Sequence, residues 1–335
     1  MSAEFPEEAE MEMEEEEEFP FYDQEFPVSS FGEIWGYLLA GREGDFDPEY
    51  PLSDIGYFGA EIDNYGKLVN VPDRKKIPAY PKHPEHPEHP GSPGRVHLVV
   101  TCNSRPLSHF ALEEGSAVRR RMIADLLSEA APYDGLQIDF EYVLSRDAGA
   151  FHSFLAELRS GLAGKMFTVA FPARTRTLKD DAYDYARVKP LADRVLVMAY
   201  DEHWSTSEPG PIASMDWCRN VASYSLGILG KEKLIMGLPF YGRAWGHINP
   251  SRAYIYSGIE RLKEEHEVSE VTRTGGIPHF SYETPVSVTV YYEDDASLSA
   301  RLEMYRSLGV GSVGFWRLGQ ESPGVWKLLE LKTGS

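Results

Sequence analysis

The chain has 335 residues, 42% of them hydrophobic and 12% aromatic, enough apolar surface for a packed core, which excludes a wholly disordered protein. Its 53 acids against 33 Lys and Arg give a formal charge of −20, a surface that repels a phosphate backbone, so nucleic-acid binding is not expected. No apolar run approaches the roughly 20 residues of a membrane-spanning helix.

The first thirty residues hold 12 acids and no Lys or Arg, including the run Glu14–Glu18. This composition predicts a solvated, disordered tail over 1–30. Phe5, Phe19, Phe21 and Phe26 are interleaved in it and leave a docking role open. The tail has no basic n-region and no apolar h-region, so no secretory signal is read in this chain. Without it the charge is −8, an ordinary acidic body. Cys102 and Cys218 cannot make a disulfide framework or a metal cluster by themselves and read as buried thiols.

After residue 30 a short apolar run, a polar or helical stretch and another apolar run recur. The runs are Ile34–Ala40, Asp54–Glu61, Val96–Cys102, Gly135–Glu141, Phe167–Phe171, Arg194–Tyr200, Leu234–Leu238 and Gly311–Trp316. Between them, Val118, Met122, Ile123, Leu126 and Leu127 share one helical face, as do Phe151, Phe154, Leu155, Leu158 and Leu162, and a third helix fits Leu298–Leu308. Eight strands alternating with helices predict an α/β fold, a (β/α)8 TIM barrel, with 31–335 as one catalytic domain. A doubly wound open sheet is the other solution by periodicity, but no Gly-rich phosphate turn accompanies it.

Two interruptions break the pattern. Residues 81–94 repeat His-Pro-Glu, and polyproline II with three residues per turn would line up His83, His86 and His89 on one edge. A solvated loop or a metal-binding edge would both fit. Residues 246–285 are too long for a plain connection and predict a small inserted subdomain between the seventh and eighth strands, walling one side of a cleft.

The fourth run reads Asp134-Gly135-Leu136-Gln137-Ile138-Asp139-Phe140-Glu141-Tyr142. Strand alternation puts Leu136, Ile138 and Phe140 on one face and Gln137, Asp139 and Glu141 on the other. In a barrel the apolar face meets the helices, so an amide and two carboxylates point inward, where Val, Ile and Leu are usual. Burying two acids is costly unless chemistry needs them. Adjacent like charges raise at least one pKa and leave a proton donor near neutrality, and Glu141 falls at the strand end where barrel active sites lie. A half-exposed strand with its acids in water would show the same alternation.

Asp134, Asp139 and Glu141 resemble three of the four acids in the DxxDxDxE signature of glycoside hydrolase family 18, the chitinase family, with Gln137 where the second aspartate usually stands. Val197-Met198-Ala199-Tyr200-Asp201-Glu202-His203-Trp204 is similar to the family's sixth-strand motif. Gly237-Leu238-Pro239-Phe240-Tyr241-Gly242-Arg243-Ala244-Trp245 is similar to the seventh, and Gly311–Gly319 to the eighth. The Tyr-Asp-Glu-His-Trp and Trp-Arg-Leu-Gly forms most resemble the bacterial branch of spore-cortex-lytic N-acetylglucosaminidases. The resemblance covers about residues 33–331.

The resemblance implies a retaining hydrolase of β-1,4 bonds at N-acetylglucosamine, in cortex-like peptidoglycan or chitin-type oligosaccharides, by substrate-assisted catalysis without a cofactor or metal. Glu141 is then the acid/base, Asp139 binds the acetamido N–H, Tyr200 orients the acetamido oxygen and Trp316 forms an apolar floor under the sugar. Asp201, Tyr241 and Arg243 are implied substrate contacts. Asp134 and Gln137 complete the binding set, Asp134 organising the strand rather than touching sugar. Trp204 and Trp245 would serve neighbouring subsites or pack, and Glu202 would solvate the rim. The implied partner is an N-acetylglucosamine-containing glycan, in an extracellular, envelope or spore location reached by a trimmed or spore-deposited protein. A carbohydrate-binding member without turnover is the alternative, and oligomeric state is left open. Neither His-x-His nor His-Glu-x-x-His occurs to favour a metal enzyme.

Overall fold

The computed structural model describes residues 25–78, 94–162, 164–246, 256–274, 277–283 and 285–332. Eight parallel strands form the centre: β1 (Glu33–Leu39), β2 (Asp54–Ile62), β3 (Arg95–Cys102), β4 (Gly135–Phe140), β5 (Met166–Pro172), β6 (Arg194–Met198), β7 (Leu234–Pro239) and β8 (Ser312–Trp316). Neighbours in sequence are neighbours in the sheet, and β1 pairs with both β2 and β8, so the sheet closes on itself. This is the (β/α)8 barrel expected from the sequence, and all eight apolar runs are its strands to within two residues at each end. Closure leaves the barrel strands no free edges.

Helices α1 (Arg105–Leu112), α2 (Ala117–Glu129), α3 (Ala148–Gly161), α4 (Tyr185–Val188), α5 (Met215–Leu229), α6 (Tyr256–Glu265) and α7 (Asp295–Leu308) follow the strands. The second, third and last match the predicted helical faces. Their ends have local causes. Ser116 caps α2 by accepting from the Arg119 N–H, and Asp294 with Ser297 forms a capping box at the start of α7. Gly309, at φ +87°, ends α7 in the left-handed conformation that glycine adopts without strain. Helix α5 goes beyond the expected elements because its buried face, Cys218, Val221, Ala222, Ser225 and Leu229, is half small or polar and blurs the 3.6-residue period.

The alternation read in β4 holds around the barrel. Phe140 stacks outward on Phe151 and Phe154 of α3 at ring distances of 6.3 and 5.4 Å, and each such fully buried side chain contributes about 1.5–3 kcal/mol. Inside lie Trp35, Tyr37, Val99, Ala170, Leu196 and Ile235, with Phe58, Met198 and Trp316 packed above them. The two ends of this interior differ in chemistry.

At the N-terminal end, charges close the barrel. Glu33 accepts from Arg95 at 2.7 Å and from Arg194 at 2.8 and 2.9 Å. Asp54 accepts from two Arg95 nitrogens at 2.7 and 2.8 Å and lies 2.7 Å from His97 Nε2. Trp35 stacks on His97 at 4.3 Å. Below this plug, Ser29–Phe31 pairs in parallel with Leu329–Leu331.

Between β7 and β8 the described residues contain α6, a hairpin of Thr272–Thr274 with Ile277–His279, and an antiparallel pair of Arg243–Gly246 with Val288–Tyr291. Residues 1–24 of the acidic segment and the Pro-rich loop with His83, His86 and His89 lie outside the described residues. Both cysteines are buried and unpaired, and no helix among the described residues is long and apolar enough to cross a membrane.

Candidate active site

The C-terminal ends of β4, β6, β7 and β8 bring together the acids and aromatics singled out in the sequence. Asp139 points into the barrel from the last turn of β4 and is only 8% exposed. Its Oδ1 is buried with no hydrogen-bond partner in the protein. Burial, reinforced by the Glu141 charge, pushes its carboxyl up to about 8. Glu141 lies one residue beyond the strand, its N–H still bonded to Cys102 O at 3.0 Å, and its side chain is half-buried. Burial raises its pKa, and the Asp201 charge adds to the shift. Two neighbouring acids that both favour their protons are poised to donate one.

Tyr200 and Asp201 follow β6 directly. Tyr200 stands edge-on to Tyr241 at 6.3 Å, and Gly237 of β7 makes its room: a Cβ there would lie 3.0 Å from the Tyr200 ring and 2.8 Å from Val197 O. Asp201 has φ +56°, a left-handed conformation costing about 1 kcal/mol or more in a residue with a side chain. Its Oδ1 gathers three donors, Tyr241 Oη at 2.5 Å and Arg243 Nε and Nη2 at 3.1 and 2.6 Å. These hydrogen bonds fix the carboxyl in place at the cleft beside Glu141.

Trp316 ends β8 and meets Phe58 edge-on at 4.9 Å and Tyr37 at 5.8 Å. The Trp316–Arg317 peptide is cis. Phe58, Tyr37 and Trp316 thus make an aromatic floor of the kind that buries a sugar's apolar face. Gly56 lets Tyr37 lie flat, since a Cβ there would be 2.7 Å from its ring.

Not all predicted residues reach this site. Gln137 is fully buried one layer deeper, accepting from Tyr37 Oη at 2.7 Å and donating to Thr168 Oγ1 at 3.0 Å. Asp134 lies before the start of β4, at the opposite end of the barrel, where it accepts from the Val96 N–H at 2.8 Å. Glu202 does more than solvate the rim: it accepts from the Ser214 N–H at 2.7 Å and ties the loop after β6 to the start of α5. Trp204 is 53% exposed, and Trp245 packs on Tyr291 at 6.2 Å and donates to Trp204 O at 3.2 Å.

Three residues of the site carry no motif signal. Tyr37 was legible only as the interior alternate of β1, and Thr168 as that of β5. Tyr183, in the loop after β5, bonds to Phe140 O and the Val143 N–H on either side of Glu141.

Comparison with known proteins places this geometry in a family. The chain is 30% identical over 218 residues to "Uncharacterized glycosylase YvbX" of Bacillus subtilis (strain 168), a match covering 62% of this chain and 63% of that protein. It is 25% identical over 230 residues to "Cortical fragment-lytic enzyme" of Bacillus anthracis, covering 64% of this chain and 53% of that one. The chain therefore spans between about half and two thirds of the length of these curated relatives. The fold is shared with the Bacillus cereus spore cortex-lytic enzyme SleL, with a TM-score of 0.66 at 21% identity over 92% of this chain and 76% of that one. Residues 110–321, well over half of the chain, from the end of α1 to the loop after β8, match glycosyl hydrolases family 18. The protein is a member of that family.

Proposed function

We infer that the protein is a retaining glycoside hydrolase acting on β-1,4 bonds at N-acetylglucosamine, with the substrate's own acetamido group as nucleophile. The observation that carries this reading is the pair at the end of β4: a buried Asp139, its Oδ1 without a partner, beside a half-buried Glu141 whose pKa is raised by burial. An acid free to bind the acetamido N–H next to the proton donor suits neighbouring-group chemistry.

In this mechanism the Glu141 carboxyl gives its proton to the glycosidic oxygen while the acetamido carbonyl oxygen forms a bond to C1 and the C1–O bond breaks. Asp139, with a free Oδ1, accepts the acetamido N–H and so holds the acetamido group against C1. Tyr200 donates toward the acetamido oxygen, and Trp316 supports the distorted ring. Water then opens the ion, returning a proton to Glu141. Asp201, Tyr241 and Arg243 form one hydrogen-bonded cluster that presents fixed polar groups to the sugar's rim. Likeness to cortical fragment-lytic enzymes supports a cortex-type peptidoglycan as substrate, with chitin-type oligosaccharides as the chemically equivalent alternative.

Mass spectrometry of products from peptidoglycan and chitin oligomers tests the reading. Fragments ending in reducing N-acetylglucosamine are expected, with turnover lowered about 10²–10⁴-fold in Glu141→Gln, the usual worth of a general acid. Intact glycans alongside measurable sugar binding would instead make the protein a carbohydrate-binding member of the family.

A further inference from the structure

The segment that carries Glu141 is braced by a side chain from another loop, the one after β5. β4 ends at Phe140, and Glu141, Tyr142 and Val143 follow it outside any regular element. The Tyr183 hydroxyl bridges this segment: it accepts the Val143 N–H at 2.9 Å and donates to Phe140 O at 3.0 Å. Glu141 and Tyr142 lie between those two bonds, and Tyr142 has φ +60°, a left-handed conformation that a residue with a side chain rarely adopts. A tyrosine persists there only if its surroundings over-determine it.

Tyr183 is itself fixed from all sides. It is 7% exposed, its ring meets Phe171 edge-on at 5.2 Å and Phe151 at 6.1 Å, and the Arg174 guanidinium lies 5.8 Å from its centroid. Arg174 grips Asp181 through two hydrogen bonds of 2.7 and 3.1 Å, and Asp181 in turn accepts the Tyr183 N–H at 3.1 Å. A rigid path therefore runs from the loop after β5 to the backbone on both sides of the proton donor.

We propose that Tyr183 is a positioning residue for Glu141, its hydroxyl bridging the backbone on both sides of that residue and so fixing the place from which the Glu141 carboxyl reaches the glycosidic oxygen. Without the hydroxyl, Phe140 O and the Val143 N–H lose their shared partner, and the segment between them shifts the carboxyl out of place. This inference rests on the assignment of Glu141 as the acid.

The test compares leaving groups. Tyr183→Phe, Glu141→Gln and the unaltered protein are assayed for kcat/KM on a dinitrophenyl glycoside of di-N-acetylchitobiose, whose phenolate departs without a proton, and on an unactivated chitooligosaccharide. For Tyr183→Phe we expect a loss of about 10–100-fold on the oligosaccharide, the scale of a misplacement near 1 Å, and less than about threefold on the activated glycoside. Glu141→Gln gives the same pattern, deeper. Equal losses on both substrates, or none, while Glu141→Gln keeps the pattern, would overturn the role of Tyr183 alone. A Glu141→Gln protein that loses nothing on the oligosaccharide would overturn the acid assignment and this inference with it. If Tyr183→Phe does not fold, Asp181→Asn, which loosens the brace on Tyr183 and leaves the ring in place, is judged by the same ratio.

Discussion

The two ends of the barrel interior are both charged, yet they treat charge in opposite ways. At the N-terminal end Glu33 and Asp54 are met by Arg95, Arg194 and His97 at 2.7–2.9 Å. Burial alone would push Asp54 up, but the Arg95 guanidinium and the His97 hydrogen bond outweigh it and hold that carboxyl well below the usual range. At the C-terminal end Asp139 and Glu141 face no cation, and burial carries both upward. Matched charges lock a fold, and unmatched ones store a proton for use. Within one barrel the first arrangement serves stability and the second serves chemistry.

The sharpest way to break this contrast is to neutralise one acid at each end. Asp54→Asn leaves Arg95 and His97 without their buried partner and should cost about 3–5 kcal/mol of stability, while kcat stays within about threefold of the unaltered protein. Glu141→Gln should do the reverse, removing turnover while its melting temperature stays at or above that of the parent. Denaturant melts and initial rates on the same two proteins check both halves.

Next in size is the response to pH. Asp139 titrates near 8 in the folded chain against 3.8 for an ordinary aspartate, so its contribution to stability is complete below about pH 4 and is lost as pH rises toward 8. Asp54 is depressed, so its contribution is present above about pH 4 and is lost only as pH falls through its low folded value. Thermal melts should therefore show stability declining between pH 4 and 8, and Asp139→Asn should flatten that decline. A slope unchanged by Asp139→Asn would remove the acid from the account.

The smallest effect concerns Gln137. Locked between Tyr37 and Thr168, it cannot exchange a proton with Asp139 above it. Gln137→Asp would put a second carboxyl behind Asp139, make loss of its proton harder, and move the alkaline limb of the pH–rate curve up by about one unit or less. An unmoved curve would show that the amide is a packing element only.

The barrel was legible in the sequence because its strands are short apolar runs at regular spacing, and the fourth betrayed itself by carrying Gln137, Asp139 and Glu141 where Val or Leu belong. The sixth- to eighth-strand motifs placed Tyr200, Asp201, Tyr241, Arg243 and Trp316 at one end, where the structure gathers them. The N-terminal charge cluster was not legible. Glu33, Asp54, Arg95 and Arg194 stand at strand starts up to 161 residues apart, and only closure of the sheet makes them neighbours. Tyr183 escaped for a related reason: a tyrosine in a polar loop has no period, and its value lies in where a single oxygen arrives. Asp134 shows the opposite failing. It shares a signature with Glu141, but the six residues of β4 lie between them and span opposite ends of the barrel, so proximity in sequence misstates its place.

The parallel pairing of Ser29–Phe31 with Leu329–Leu331 has a mechanical consequence. Parallel neighbours pulled from the upstream end of one and the downstream end of the other slide past each other, so tension loads their hydrogen bonds together instead of unzipping them singly. The clasp lies directly outside β1 and β8, joined to them by the Gly32 N–H to Gly311 O bond of 2.8 Å. A tug on either flank must shear this clasp before it can disturb the strands that carry Tyr37 and Trp316, which shields the sugar floor from strain transmitted along the chain.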